Sequence, residues 1–321
     1  MIDVSVVIIT YNRKDKVERL IQSVLKANWE GLSREIIVVD DCSPDGTFEF
    51  LNSKYAGHLD IKLLQNEVNS KASHSRNRGI AASCGRFLFC IDDDVVVHEE
   101  AFQELYKARQ SLEGQKVILA PLMFEYEKPD VLWYAGVRLN MWTTFGTFEG
   151  QGRTLKEYGP LPDTLETDTI VTAFFMDRSC LEEVGVFDEK RFPFQFEEMD
   201  FFNRSGFFGY RLLVVSPAHI YHDHEQGAFL NHPWRLELTA KNKLLTCKLW
   251  SSSQLQEYVS LAFSTATLLA YFGLKLLVYR KERIACMKAL VRGMRDGFSG
   301  LKSITPYRQI YREQIISMEP S

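Results

Sequence analysis

Phe87-Leu88-Phe89-Cys90-Ile91-Asp92-Asp93-Asp94-Val95-Val96-Val97 sets three adjacent carboxylates between two apolar runs. The first run reads as a buried strand, so the acids stand at the edge of a core, where they repel one another and lose hydration. Such acids must be protonated, paired with cations or bound to a metal. An all-oxygen set suits Mg²⁺ or Mn²⁺ shared with a substrate phosphate. Taken alone, the triplet fits a turn or a helix cap equally well, since Asp is common at both.

Upstream, short apolar runs alternate with amphipathic stretches. Residues 4–9 form a β-branched run, and Val17, Leu20, Ile21, Val24 and Leu25 recur at helical spacing. Residues 36–39 form a second strand closed by Asp40-Asp41, residues 61–64 a third, and residues 72–82 a helix that precedes the run at 87–91. This alternation predicts an α/β fold with a mostly parallel, Rossmann-like central sheet flanked by helices. In such a sheet the ligand lies beyond the carboxyl ends of the strands. Those ends carry Thr10-Tyr11-Asn12-Arg13, Asp40-Asp41 and the aspartate triplet, so the three polar clusters converge on one edge. Tyr11 offers a flat face for stacking, Asp40 and Asp41 offer acceptors for a nucleobase or ribose, and Ser43-Pro44-Asp45-Gly46 reads as a turn. Arg76 either forks onto a diphosphate, holds the aspartates, or is a surface arginine of its helix.

The 321 residues are 45% hydrophobic and 25% charged, an ordinary globular composition. A net charge of −4 argues against nucleic-acid binding. The six cysteines contain no CxxC pair, and Met1-Ile2-Asp3 leads straight into a strand with no basic leader. Both point to a cytoplasmic protein with reduced thiols.

Downstream, residues 170–178 read as a strand and 179–184 as a short helix. Glu197-Glu198-Met199-Asp200 then lies among Phe194, Phe196, Phe201 and Phe202. Apolar surroundings raise a carboxyl pKa and suit a general base, although acids in a first helical turn and an Asp200–Arg204 pair explain the same pattern. In Ala218-His219-Ile220-Tyr221-His222-Asp223-His224, alternation puts His222 and His224 on one face, as a metal ligand or as structural histidines. Trp133, Tyr134, Trp142, Phe145 and Tyr158 would stack on sugars or fill a hairpin core. Helices begin at Pro233-Trp234-Arg235. Residues 259–273 carry no charge but are too short and too rich in Ser and Thr to span a membrane, and Lys275 and Arg280-Lys281 follow. These helices either lie peripherally on the inner face of a membrane or pack on the catalytic domain or in a homodimer. Residues 301–321 read as a polar, poorly ordered tail.

Three blocks, residues 4–13, residues 36–47, and Ser75-Arg76-Asn77-Arg78-Gly79-Ile80 followed by 87–94, match together in order and spacing. Over residues 3–225 the chain resembles family 2 glycosyltransferases, inverting enzymes of the GT-A fold, of the rhamnosyltransferase-like bacterial kind. Cys42 stands where that family commonly has Gly. The resemblance implies a GT-A catalytic domain over residues 1–230 and a C-terminal helical extension over 231–300. It implies transfer of a sugar from a UDP or dTDP donor to a hydroxyl of a glycan or lipid-linked acceptor. Thr10, Tyr11, Asp40, Asp41, Arg76, Asp92 and Asp93 would hold the nucleotide-sugar. Asp94, with Asp92 and His222, would hold a divalent metal, Mg²⁺ or Mn²⁺. Glu198 would be the base, although the family more often has Asp there, with Glu197 and Asp200 next in line. The rivals are a sugar-1-phosphate nucleotidyltransferase, disfavoured because this chain lacks a Gly-rich phosphate loop with an activating Lys after the first strand, and a non-catalytic sugar-nucleotide-binding protein.

Overall fold

The structure, a computed structural model, describes residues 2–223, 232–272, 274 and 282–312. Its first half runs β1 (Val4–Thr10), α1 (Lys14–Lys26), β2 (Arg34–Asp40), α2 (Thr47–Tyr55), β3 (Ile61–Gln65), α3 (Lys71–Ala81), β4 (Phe87–Asp92), β5 (Val95–Val97) and α4 (Ala101–Ser111). There follow β6 (Val117–Glu125), β7 (Leu132–Tyr134), the hairpin β8 (Val137–Asn140) and β9 (Phe145–Phe148), α5 (Leu155–Tyr158), β10 (Thr164–Glu166), β11 (Ala173–Asp177), α6 (Cys180–Val184), α7 (Glu197–Gly206) and β12 (Arg211–His222). The C-terminal helices are α8 (Pro233–Leu249), α9 (Gln254–Thr267), α10 (Arg283–Gly300) and α11 (Tyr307–Ile310).

The main sheet has the order β10-β12-β6-β11-β4-β1-β2-β3. β4, β1, β2 and β3 are parallel, β11 runs antiparallel between β4 and β6, and β12 is parallel to β6. β1, β2 and β4 carry near-continuous buried apolar runs, as inner strands of a parallel sheet do, whereas the edge strand β3 is only partly buried. α1 buries Val17, Leu20, Ile21 and Val24, the stripe its spacing predicts. α2, absent from the sequence reading, hides behind a weak apolar pattern and is held down by Thr47, Leu51 and Tyr55. α3 lies so close to β1 that a Cβ on Gly79 would stand 2.5 Å from Val7 Cγ1.

Register places the site. Ile9 pairs with Asp92 and Thr10 with Asp40, so the strand ends finish level. β5 turns back along the end of β12 and sets Val95 opposite His222.

α8 and α10 cross closely at Gly293, where a Cβ would meet the Glu237 carbonyl oxygen at 2.1 Å. Leu236, Ala240, Leu244, Leu268, Cys286 and Leu290 fill this helical core. A smaller cluster of Phe192, Leu245, Leu249, Trp250 and Tyr307 ties the helices to the sheet domain. Tyr307, in the segment expected to be a loose polar tail, is 1% exposed and heads a short helix. Residues 313–321 lie outside the described residues, as do His224, Lys275, Arg280 and Lys281. Of the aromatics between 122 and 168, Tyr134 is core and Tyr158 half-buried, whereas Trp142 and Phe145 are exposed. Among the described residues no helix is long and apolar enough to cross a membrane. All six cysteines are unpaired, and four are buried.

Candidate active site

The three aspartates take different sets of partners, with Arg13 shared by two of them. Asp93 turns inward, accepting from Thr10 Oγ1 at 2.7 Å and from Arg13 Nη1 at 2.9 Å. Asp94 accepts from the same Arg13 nitrogen at 2.7 Å and faces His222 Nε2 at 3.3 Å, a contact made by the β5–β12 pairing. Asp92 Oδ1 takes a hydrogen bond from Arg76 Nη2 at 3.0 Å. Burial raises Asp93 to about 6 against the pull of Arg13. Burial also acts on Asp94, but the bond to His222 and the charges of His222 and Arg13 outweigh it and hold that carboxyl at about 2. Asp94 is therefore ionised at neutral pH, while Asp93 gives up its proton less readily.

Arg76, on α3, is 2% exposed and does not line the cleft. Besides Asp92 it donates from Nη2 to Glu198 Oε1 at 3.1 Å, and its Nη1 lies 3.7 Å from Glu197 Oε1. Its guanidinium rests 5.0 Å from the centre of the Phe187 ring. Both the diphosphate fork and the surface arginine are thereby corrected. One buried cation gathers the acids of two distant motifs because an unpaired carboxylate is too costly there.

Gln195 and Phe196 feed α7 in left-handed conformation, with φ of 62° and 69°. Such backbone in non-glycine residues is held only by its surroundings. Here Asn242 Nδ2, on α8, donates to the carbonyls of Phe194 and Gln195 at 3.1 and 2.9 Å. The entry puts Glu197 and Glu198 in the first turn. Glu198 accepts from the Thr172 amide at 3.2 and 3.3 Å. Burial pushes Glu198 up to about 8 despite Arg76, with Asp92 and Glu197 adding to the rise. Burial raises Glu197 as well.

Asp200 is corrected. It is fully buried on the other side of α7, bound to Arg204 Nε at 3.0 Å, Tyr307 OH at 2.6 Å and Trp250 Nε1 at 3.4 Å. The pairing with Arg204 accounts for it, and it does not line the cleft.

The cleft, about 270 Å³, opens at the carboxyl ends of the parallel strands. Thr10, Tyr11, Asp41, Asp92, Asp93, Asp94 and Glu197 line it. Tyr11 stands 44% exposed at its mouth. Asp41 is locked by Asn66 Nδ2 at 2.7 Å and by the amides of Ser70 and Lys71 at 2.8 Å each. Asp40 is buried below the floor, accepting from the Ser43 amide at 3.1 Å and Gln65 Nε2 at 3.4 Å, and does not reach the cleft. Among the described residues no three His, Cys, Asp or Glu side chains converge as a metal cage. The donor chemistry nevertheless fits a hard divalent ion. Asp94 is ionised, and its separation from His222 is close to the roughly 3 Å between adjacent ligands of an octahedral ion.

A glycosyl transferase family 2 profile matches residues 5–184, more than half of the chain. The chain belongs to glycosyl transferase family 2. Relatives of this family 2 chain include the poly(ribitol-phosphate) β-N-acetylglucosaminyltransferase TarP of Staphylococcus aureus strain N315, 37% identical over 105 residues, which are 32% of each chain. The glycosyltransferase GlyG of Streptococcus pneumoniae is 27% identical over 131 residues, 41% of this chain and 42% of that one. The matches thus span less than half of either relative. The structure of GalNAc-T7 with UDP, GalNAc and Mn²⁺ superposes with a TM-score of 0.67 at 17% identity, over 95% of this chain and 58% of that one. S. aureus TarS 1–349 with UDP-GlcNAc gives 0.57 at 18%, over 98% and 89%. The fold is GT-A.

Several cleft residues of this family 2 chain carry no signal in the sequence. Arg13 sat inside the first motif, and its clamp on Asp93 and Asp94 had no local signal. Lys71, Phe194, Trp234 and Arg235 also line the cleft, and Lys71 Nζ lies 4.6 Å from the Trp234 ring centre. Trp234 and Arg235 arrive from α8, beyond the matched family segment, and no spacing links them to the strands.

Proposed function

We propose that this family 2 chain is an inverting glycosyltransferase that moves a sugar from a uridine or thymidine diphosphate donor to a hydroxyl of a glycan or lipid-linked acceptor. The observation that carries this reading is the Arg76 bridge, which joins a donor-side acid, Asp92, to a buried acid of raised pKa, Glu198. Tyr11 stacks on the nucleobase, and Asp41, held rigid by three donors, accepts from it. Thr10 and Asp93 shape the floor, and Asp92 turns its outer oxygen to the ribose or diphosphate. Asp94 and His222, with Asp92, are the residues that would hold Mg²⁺ or Mn²⁺. Such an ion stabilises the charge that builds on a departing diphosphate.

Glu198 takes the proton of the acceptor hydroxyl as its oxygen bonds to the anomeric carbon. The bond from that carbon to the diphosphate oxygen breaks on the opposite face, and the configuration inverts without a covalent enzyme intermediate. Glu197, at the cleft wall, is the substitute base. TarP and TarS carry names that specify N-acetylglucosamine transfer to poly(ribitol-phosphate), so UDP-GlcNAc and a polyol-phosphate acceptor are the first pair to try. Release of UDP or dTDP across a panel of sugar nucleotides, with and without Mn²⁺, tests the reading. Ion-dependent release with transfer to an acceptor is expected. Metal-independent turnover would remove Asp94 and His222 from the metal role, pyrophosphate release from a nucleoside triphosphate and a sugar phosphate would favour a nucleotidyltransferase, and binding without turnover would favour a sugar-nucleotide-binding protein.

We place the catalytic domain in residues 1–230 and a peripheral membrane contact on the helical extension at 231–300. α9 turns outward Leu255, Tyr258, Val259 and Phe263, and Leu269 is exposed just beyond its end, with no charge among them. Residues 251–321 carry ten Lys and Arg against five Asp and Glu in a chain of net charge −4. An apolar face within a segment of basic sequence suits an anionic cytoplasmic leaflet. Cosedimentation with anionic but not neutral vesicles is expected, and a homodimer formed through α9 instead would be seen as doubled mass in solution without lipid.

A further inference from the structure

A second cavity, of about 240 Å³, flanks the N-terminus of α7. Phe196, which leads into α7, and Met199 of α7 form one wall, and Val171 forms another. Val171 directly precedes Thr172, whose amide holds Glu198. Phe145, 44% exposed, stands at the hairpin side. Residues that flank the candidate base and its amide donor along the chain thus line this cavity, whose lining is separate from that of the cleft that holds Asp92 to Asp94.

Its lining is apolar except for three threonines and one cation. Lys243, from α8, is 5% exposed. Its ammonium donates to the Thr144 carbonyl at 3.2 Å and to Thr144 Oγ1 at 2.8 Å, and lies 4.1 Å from the centre of the Phe145 ring. Thr144 is held left-handed at φ 55°, and its hydroxyl also meets Ser264 Oγ at 3.0 Å. The ammonium is thus fixed in place by neutral oxygens and a ring face, and no carboxylate among the described residues offsets its charge. A buried ammonium without a counter-ion is costly, and a lysine kept only to staple the hairpin could be replaced by an apolar residue at a gain. Burial lowers it to about 8, which leaves most of it charged at neutral pH.

We propose that this cavity is an acceptor subsite in which Lys243 binds an anionic group, a phosphate or carboxylate, carried by the acceptor near the hydroxyl that Glu198 deprotonates. The apolar walls take the carbon skeleton beside that group, and the ammonium supplies the missing charge pairing. The assignment to the acceptor rests on the transferase reading, whereas anion binding at Lys243 does not.

The probes are ribitol 5-phosphate, gluconate and neutral ribitol, titrated calorimetrically into the full chain in the presence of UDP. Wild type should bind at least one of the two anions about tenfold more tightly than ribitol, the equivalent of one charge-assisted contact. Preference for one anion over the other identifies the group. Lys243→Met should lose the preference and Lys243→Arg should keep it. With acceptor turnover, Lys243→Met should raise the acceptor KM about tenfold with kcat within about threefold and the donor KM unchanged, the pattern of a lost binding contact. Equal affinity of wild type for anions and ribitol overturns the proposal even if the variant fails to fold. A preference that survives in Lys243→Met overturns it as well. If no transfer is found but the anion preference and its loss hold, the transferase reading fails while the anion site stands.

Discussion

Arg76 Nη2 lies 3.1 Å from Glu198 Oε1, and the same nitrogen reaches Asp92 Oδ1 at 3.0 Å. Removing that cation leaves Asp92, Glu197 and Glu198 without the charge that holds them together. Arg76→Met should cost about 3–5 kcal/mol, as expected when one partner of a buried pair is lost. The denaturant midpoint reports it, and an unchanged midpoint would show that the bridge is not formed.

Glu198→Gln keeps the shape of the side chain and removes its basicity. Transfer should fall about 10²- to 10⁴-fold, the range for loss of a general base, with nucleotide affinity nearly unchanged. Rapid-quench turnover and equilibrium UDP binding separate the two effects. Activity that survives moves the role to Glu197, whose carboxyl lines the cleft.

The pH dependence follows from burial of Glu198, which raises its pKa from 4.5 to about 8. A base must be ionised, so kcat/KM should climb through neutral pH and level off above about 8. Stability runs the other way. The folded state keeps a proton that the unfolded chain has lost, so this contribution is complete below about 4.5 and disappears as pH rises through 8. Chemical denaturation between those limits should show a steeper fall for wild type than for Glu198→Gln.

Asp200 is placed to stabilise the protein and lies away from the cleft chemistry. Asp200→Asn weakens the pairing of the buried Arg204 guanidinium and should lower stability by roughly 3–5 kcal/mol. Tyr307→Phe removes only a hydrogen bond to a carboxylate and should cost about 1.5–3 kcal/mol. In the protein that remains folded, both should leave kcat close to wild type. A collapse of kcat without a loss of stability would return Asp200 to the list of bases.

Gly293 carries the crossing of α10 over α8. An added Cβ would meet backbone atoms of Glu237, the oxygen at 2.1 Å and its carbon at 2.9 Å, and backbone cannot turn aside as a side chain can. Gly293→Ala should destabilise the helical extension by about 1–3 kcal/mol, the usual cost of overpacking. Limited proteolysis within 251–312 is the direct readout, and an unchanged cleavage rate would place α10 elsewhere.

The strands of the first half were legible because burial on both faces writes a continuous apolar run, and each run is local. From β1, β2 and β4 alone came the parallel sheet and the shared edge of Thr10, Asp41 and Asp92. α2 escaped because its buried positions, Thr47, Leu51 and Tyr55, include only one aliphatic side chain.

The roles of charged residues were legible only as sets. The sequence by itself determined the family, the sheet and the groups of acids that had to find partners. The tertiary structure alone decided which distant partner each acid took: Asp93 and Asp94 went to Arg13, Asp92 and Glu198 to Arg76, and Asp200 to Tyr307, in addition to the Arg204 one helical turn away that the spacing already offered. The reason is separation along the chain. Arg76 and Glu198 are 122 residues apart, and Asp200 and Tyr307 are 107 apart. Hydrophobic periodicity reports which way a side chain faces over a few residues, whereas the desolvation that forces a buried charge to find its counter-ion acts only after the chain has closed around it.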